Sequence, residues 1–255
     1  MSNNADIGFI SMPGPRALAY MDVFSALDKF PLCIVKLNNP HLDKSLTKLK
    51  SITQSYISMK NDEETLSKQA NIPLYSVESS DINDNSLFAL IRETGIKTWV
   101  FSGGGIVKPH FFNAGINFIH IHPGQLPEVR GSTCFYYSLL CDNTLAATAF
   151  FLTEEIDAGE PIVCEHFRIN LPDDTLTATY MDYVIDPWVR AQTLKHVWQA
   201  WPNISGIQKK SNMQKSKAPS SRACYVMHPL LRMMTINKVT KRFDPLSPKG
   251  LFINE

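Results

Sequence analysis

His120 and His122 stand two residues apart in the apolar run Phe118-Ile119-His120-Ile121-His122, which ends at Pro123-Gly124. In an extended chain, side chains at i and i+2 share a face, so both imidazoles emerge together beside a turn. The stretch continues as Gln125-Leu126-Pro127-Glu128-Val129-Arg130-Gly131, and after a gap Asp157-Ala158-Gly159 supplies a carboxylate. One strand end and two loops could bring these groups to one point, a constellation suited to proton transfer. Metal ligation is the competing use of two histidines. It is disfavoured, because His110 lies upstream and neither a His-x-x-x-His pair nor an acidic continuation supplies the remaining ligands.

A second run, Gly103-Gly104-Gly105 followed by Ile106-Val107, sits at the end of a predicted strand. Open α/β sheets place their ligands at such strand ends, and three glycines permit close approach of a ligand to the backbone. A flexible turn is the plainer reading. Met12-Pro13-Gly14-Pro15-Arg16 has one glycine and two prolines, so it lacks the successive N–H donors of a dinucleotide fingerprint. A dinucleotide-dependent dehydrogenase is disfavoured.

The elements that must position these groups follow from hydrophobic periodicity. Short β-rich runs at 7–11, 32–37, 74–77, 98–101, 118–122 and 147–152, with an extra strand at 162–169, alternate with helical spacing at 16–29, 47–60, 84–94 and 133–140. The alternation predicts an α/β fold with a doubly wound, mostly parallel sheet covered on both faces. A long helical pattern runs from Asp174 to about Ala200, and Pro187 should kink or break it. Past Pro202 the chain turns polar, with Lys209, Lys210, Lys215 and Lys217 read as a solvated loop, and the apolar segment 225–236 is expected to dock onto the main body. The expected division is a catalytic domain at 1–172 and a long helix plus small C-terminal appendage at 173–255.

Composition narrows the classes. A chain of 255 residues can bury a sizeable core, while a net charge of +1 with 19% charged residues gives no electrostatic case for nucleic acid. Five cysteines, Cys33, Cys134, Cys141, Cys164 and Cys224, form no CxxC pair and read as reduced thiols. The N-terminus has no signal-peptide pattern and no apolar run approaches the ~18 residues of a membrane span. A soluble cytoplasmic protein with no membrane partner is expected.

The run from His122 through Leu126-Pro127 and Arg130-Gly131, followed by Leu145 to Gly159 with its Asp157-x-Gly159, resembles the formyltransferases that use 10-formyltetrahydrofolate. That family includes methionyl-tRNA formyltransferase, glycinamide ribonucleotide transformylase and the formyltransferases of nucleotide-linked amino sugars. Its pattern is Asn-x-His, a Leu-Pro and Arg-Gly or Lys-Gly loop, then Asp-x-Gly. The resemblance covers residues from about 85 to 170 and extends more weakly over the N-terminal sheet. One position departs: His120 stands where the family carries asparagine, so the family triad reads His120, His122, Asp157.

The resemblance implies a Rossmann-like formyltransferase fold and a chemistry. An acceptor amine attacks the formyl carbon; His122 moves protons, Asp157 orients it and favours its charged form, and His120 offers a hydrogen bond to the oxyanion. Because His120 is titratable, activity is expected to fall at high pH more steeply than with asparagine. The loop Leu152, Thr153, Glu154, Glu155 and Ile156 would offer backbone groups to the pterin, and Gly103, Gly104, Gly105, Ile106 and Val107 would form the opposite wall. Gly124, Gln125, Arg130 and Gly131 would face the acceptor, with Arg130 either contacting an acceptor phosphate or anchoring its own loop. Phe135, Tyr136, Tyr137, Trp188 and Trp198 read as packing.

The implied function is transfer of a formyl group from 10-formyltetrahydrofolate to a small-molecule amine. The first candidate is the amino group of a nucleotide-linked deoxyamino sugar, and its rival is an amino-acid or peptide amine in a natural-product pathway. A tRNA acceptor is disfavoured by the short length and the lack of a basic face. A formyltetrahydrofolate hydrolase is disfavoured because the chain starts directly at its first strand, and a non-catalytic folate-binding homologue because His122 and Asp157 are present. Residues 225–229 could close over the acceptor or form a homodimer contact.

Overall fold

The computed structural model describes residues 5–38, 61–172, 174–205, 224–241 and 244–253. The expected helix at 47–60 and the lysines from 209 to 217 lie outside the described residues. Strand and helix alternate through the first half: β1 (Gly8–Ser11), α1 (Pro15–Ala26), β2 (Ile34–Leu37), α2 (Glu63–Ala70), β3 (Leu74–Val77), α3 (Asn85–Thr94), β4 (Thr98–Phe101), α4 (Pro109–Asn113) and β5 (Asn117–His122). There follow α5 (Cys134–Cys141), β6 (Leu145–Phe151) and β7 (Pro161–Asn170). The short α6 (Ala178–Tyr180) runs through a π-helical turn, Met181–Ile185, into α7 (Asp186–Ala200), and α8 (Pro229–Thr240) and β8 (Gly250–Ile253) complete the order.

The eight strands form one sheet in the order β3-β2-β1-β4-β5-β6-β7-β8. Neighbours from β3 to β5 are parallel, whereas β5/β6, β6/β7 and β7/β8 are antiparallel. The expected α/β doubly wound sheet is therefore present as a mixed sheet. Its antiparallel half includes β8, four residues long, which the periodicity did not reveal. Pro187 is the second residue of α7, which continues directly from the π-helical turn with helical backbone at Ile185, so the expected kink or break takes the form of that turn.

Alternate residues of one strand face opposite layers. Phe9, Ile34, Val100, Ile119 and Ile121 pack with α1, α5 and α7 in one core, while Ile10, Val35, Trp99, Phe101 and Phe118 pack with α3 and α4 in the other. β5 thus commits Ile119 and Ile121 to one layer and turns His120 and His122 the opposite way. Among the described residues, no helix is long and apolar enough to cross a membrane.

Candidate active site

The C-terminal ends of β4 and β5 and the loop after β6 surround a cleft of about 490 Å³. Gly104, Gly105 and Ile106 line it from the β4 side, His120, His122 and Pro123 from β5, and Leu152, Ile156 and Asp157 from the β6 loop. Arg16 of α1, Arg190 of α7 and Cys224 complete the wall with the segment Gly131-Ser132-Thr133. Two distant helices and two loops meet on the histidine pair.

His122 is 2% exposed. Its Nε2 lies 2.8 Å from the Val129 carbonyl, and because a carbonyl only accepts, Nε2 carries the proton of the neutral ring. Nδ1 is then the basic atom, and it faces Asp157 Oδ2 at 3.5 Å. The same carboxylate oxygen accepts the backbone N–H of Gly131 at 2.8 Å. Burial pulls the His122 pKa below its ordinary value; Asp157 opposes the shift and the Arg190 guanidinium adds to it. The expected pull of Asp157 toward the charged imidazole is present, yet burial outweighs it.

His120 is partly buried, and its Nδ1 has no hydrogen-bond partner. Burial pushes its pKa well below the imidazole range, and the positive charges of Arg190 and Arg16 push the same way. The ring is therefore neutral throughout the neutral range. This overturns the expectation of a loss at high pH from His120, because a ring that is already neutral at pH 6.5 does not change above it.

The loops are held by close backbone contacts. A Cβ on Gly159 would fall 1.7 Å from the Phe151 carbonyl oxygen, so the turn after Asp157 folds onto the end of β6 only with glycine there. Asp157 itself has φ 51°, a left-handed conformation of the kind that collects at functional sites. Gly131 has φ 99°, and its Cβ would lie 2.3 Å from the Cys224 carbonyl oxygen. Cys224 N–H donates to the Arg130 carbonyl at 2.6 Å, and Ser132 N–H donates to Cys224 O at 2.9 Å. The C-terminal segment is stitched to the site loop.

Thr148 of β6 pins the turn after His122 by accepting from Leu126 N–H at 3.1 Å and donating to the Gly124 carbonyl at 2.6 Å. Leu126-Pro127 is a cis peptide. Gln125 is buried, with Oε1 3.1 Å from His166 Nε2. Gly124, Gln125 and Arg130 thus shape the loop, and among those four acceptor-side residues it is Gly131 that lines the cleft. Gly103 is buried and gives its carbonyl to Arg16, Val107 packs in the α3/α4 core, and Thr153, Glu154 and Glu155 are exposed and off the cleft wall. Phe135, Tyr136 and Trp198 are core residues, and the Tyr136 hydroxyl donates to Asp182 at 3.0 Å.

Two site residues escaped the sequence reading. Arg190, 6% exposed, donates through Nε to Asp186 Oδ1 at 2.9 Å and through Nη1 to the Ile121 carbonyl, between the two histidines. Arg16 Nη1 donates to the carbonyls of Ser102 and Gly103 at 3.0 Å each, and Nη2 lies 3.5 Å from Asp186 Oδ2. Asp186 and Arg190 stand at i, i+4 on α7, but Gln192, Lys195 and His196 are polar there as well, so the pair did not stand out by local pattern. Among the described residues, no group of three or more His, Cys, Asp and Glu side chains is placed to hold a metal ion.

No protein-family model matches the chain, and no curated protein matches it by sequence. Solved structures match it in shape. The phosphoribosylglycinamide formyltransferase from Anaplasma phagocytophilum has a TM-score of 0.52 at 16% identity, covering 78% of this chain and 88% of that one. A sugar N-formyltransferase from Shewanella sp FDAARGOS_354 has a TM-score of 0.51, also at 16% identity, covering 90% of this chain and 85% of its own. The sheet order, the cleft at its strand ends and these likenesses together identify the architecture as the formyltransferase fold.

Proposed function

We propose that this protein is an N-formyltransferase that moves a formyl group from 10-formyltetrahydrofolate to a small-molecule amine. The observation that carries this reading is His122 Nδ1, unprotonated in the neutral ring and facing Asp157 in a cleft at the strand ends. A neutral imidazole beside a carboxylate is the arrangement needed to take a proton from an attacking amine.

The cleft supports a donor of this kind by its size and lining. Its volume lies within the ~300–1,000 Å³ usual for small-molecule sites, and Ile106 and Ile156, both more than half exposed, offer apolar surface on opposite walls. The glycine backbone at Gly104 and Gly105 gives a flat ring close access to peptide groups. When bound, the folate supplies an activated formyl carbon. His122 Nδ1 accepts the proton that the amine releases as its bond to the formyl carbon forms, Asp157 stabilises the resulting imidazolium, and the proton passes to the folate nitrogen as that nitrogen's bond to the formyl carbon breaks, releasing tetrahydrofolate. His120 lines the same wall, its neutral ring held toward the Phe101 backbone, and stands beside the reacting centre as a polar neighbour. All five cysteines are free, which suits a reducing cytoplasm, where we place the enzyme.

Water could occupy the place of the amine, giving formate release instead. Both reactions are read in one experiment: purified protein with 10-formyltetrahydrofolate, with and without a panel containing nucleotide-linked deoxyamino sugars and amino acids, followed by tetrahydrofolate appearance. Tetrahydrofolate that forms only with an amine, together with an N-formyl product, supports the transferase. Amine-independent release at an undiminished rate would establish the hydrolase, and no release with any amine would remove both.

A further inference from the structure

We propose that the acceptor carries a carboxylate within a few bonds of its reacting amine, held by Arg190 with Arg16 in the wall of the cleft. This inference rests on formyl transfer in the same cleft and names the class of acceptor.

Arg190 is more than nine-tenths buried, with Nε on Asp186 and Nη1 on the Ile121 carbonyl. Held in this way, the residue lines the cleft. Arg16, on the same wall, has a buried Nε without a partner. Two guanidiniums therefore share one carboxylate, Asp186. Asp157 does not help them, being engaged by Gly131 N–H and His122. Asp182 is turned to Arg232 and Tyr136. Asp157 carries the cleft's other negative charge but pairs with neither guanidinium, so donors on the Arg190–Arg16 side, Arg16 Nε among them, lack acceptors in a largely desolvated wall, which is costly unless a ligand supplies an anion.

Donor geometry and placement choose among anions. The planar fork of arginine suits a carboxylate. The Ile121 carbonyl that holds Arg190 belongs to the residue between His120 and His122, so the guanidinium reaches the stretch of β5 that carries both imidazoles, and all three side chains line one cleft. An anion on Arg190 and an amine on His122 Nδ1 must then be joined by a short link. An amino acid has that link. In a nucleotide-linked amino sugar the charged groups lie across the sugar ring from the amine.

The test pairs acceptors that differ only in the anion. Common α-amino acids and β-alanine are compared with their amides, with phosphoethanolamine and with nucleotide-linked amino sugars, by kcat/KM for formyl transfer. Binding of the same amino acids and amides is measured calorimetrically without the folate. The expected result is a preference of about tenfold or more for an acid over its amide, which collapses in Arg190→Gln and survives in part in Arg190→Lys; Arg16→Gln gives a second reading if Arg190→Gln does not fold. Equal use of acids and amides, or a preference for the phosphate or sugar acceptors, overturns the proposal while leaving formyl transfer intact. Carboxylate binding that depends on Arg190, without transfer to any amine, would keep the anion site and remove the transferase reading.

Discussion

Burial, more than the neighbouring carboxylate, sets the protonation of His122. Its pKa is lowered below the ordinary imidazole value, so the base form is present at and above neutral pH. We expect kcat/KM to rise through a midpoint below pH 6.5 and then level off. Asp157→Asn removes the larger of the two carboxylate charges, Asp157 and Asp186, that raise this pKa, so the midpoint should move to lower pH as the rate falls; a midpoint moving upward would contradict the geometry. His122→Ala should cost about 10²–10⁴ in kcat. Replacing His120 with asparagine exchanges one neutral donor for another, and the profile from pH 6.5 to 9 should keep its shape. Stability follows the same charges. His120 has a folded pKa well below its unfolded one, so below about pH 6.5 the unfolded chain takes up a proton first and that stabilisation is lost on acidification. The Tm of the wild type should thus fall more steeply from pH 7 to 5 than that of His120→Asn, a comparison in which the contributions of His166 and His196 cancel. The imidazoles and Asp157 were legible because they recur at fixed spacing. The tautomer of His122 was not, because it depends on the Val129 carbonyl and on burial.

The strands were legible because their side chains alternate between two cores, and β3 and β4 match the expected bounds residue for residue. β8 was not, since Gly250-Leu251-Phe252-Ile253 lies outside the strand–helix alternation that marked the others and owes its state to edge pairing with β7. α2 was missed for a related reason. It is polar, with Leu66 as its one buried apolar side chain, and it is marked mainly by Asp62, whose carboxylate caps Thr65 N–H at 2.8 Å. The loop glycines carry more than turn propensity. Gly159→Ala puts a methyl group against the Phe151 carbonyl, so the loop bearing Asp157 must move or the end of β6 must open. The expected cost is about 2–3 kcal/mol of stability, read by denaturant melts. Activity should fall further than stability explains, because Asp157 is displaced from His122. Full activity in a variant that folds would show that this loop's position is not needed for the chemistry.

The two ends of the chain meet at the site. Trp198 of α7 stacks on Phe24 of α1 with ring centroids 4.3 Å apart, and its Nε1 donates to the Lys29 carbonyl at 2.7 Å. On the same α1/α7 contact, Asp186 lies between Arg190 and Arg16, residues separated by most of the sequence. That separation explains why neither arginine could be assigned from local pattern: each looks like an ordinary helix residue until the helices are packed. The arrangement also predicts strong coupling. Asp186→Asn leaves two buried guanidiniums facing each other and should destabilise by about 3–5 kcal/mol, as loss of one partner of a buried pair does. Adding Arg190→Met removes one of the stranded charges, so the double variant should be less destabilised than the sum of the singles by roughly 1–3 kcal/mol. Thermal and urea melts of the four proteins measure that difference. Strict additivity would mean that Asp186 and Arg190 are screened by water despite their burial, and the anion site assigned to the two guanidiniums would then lose its desolvated setting.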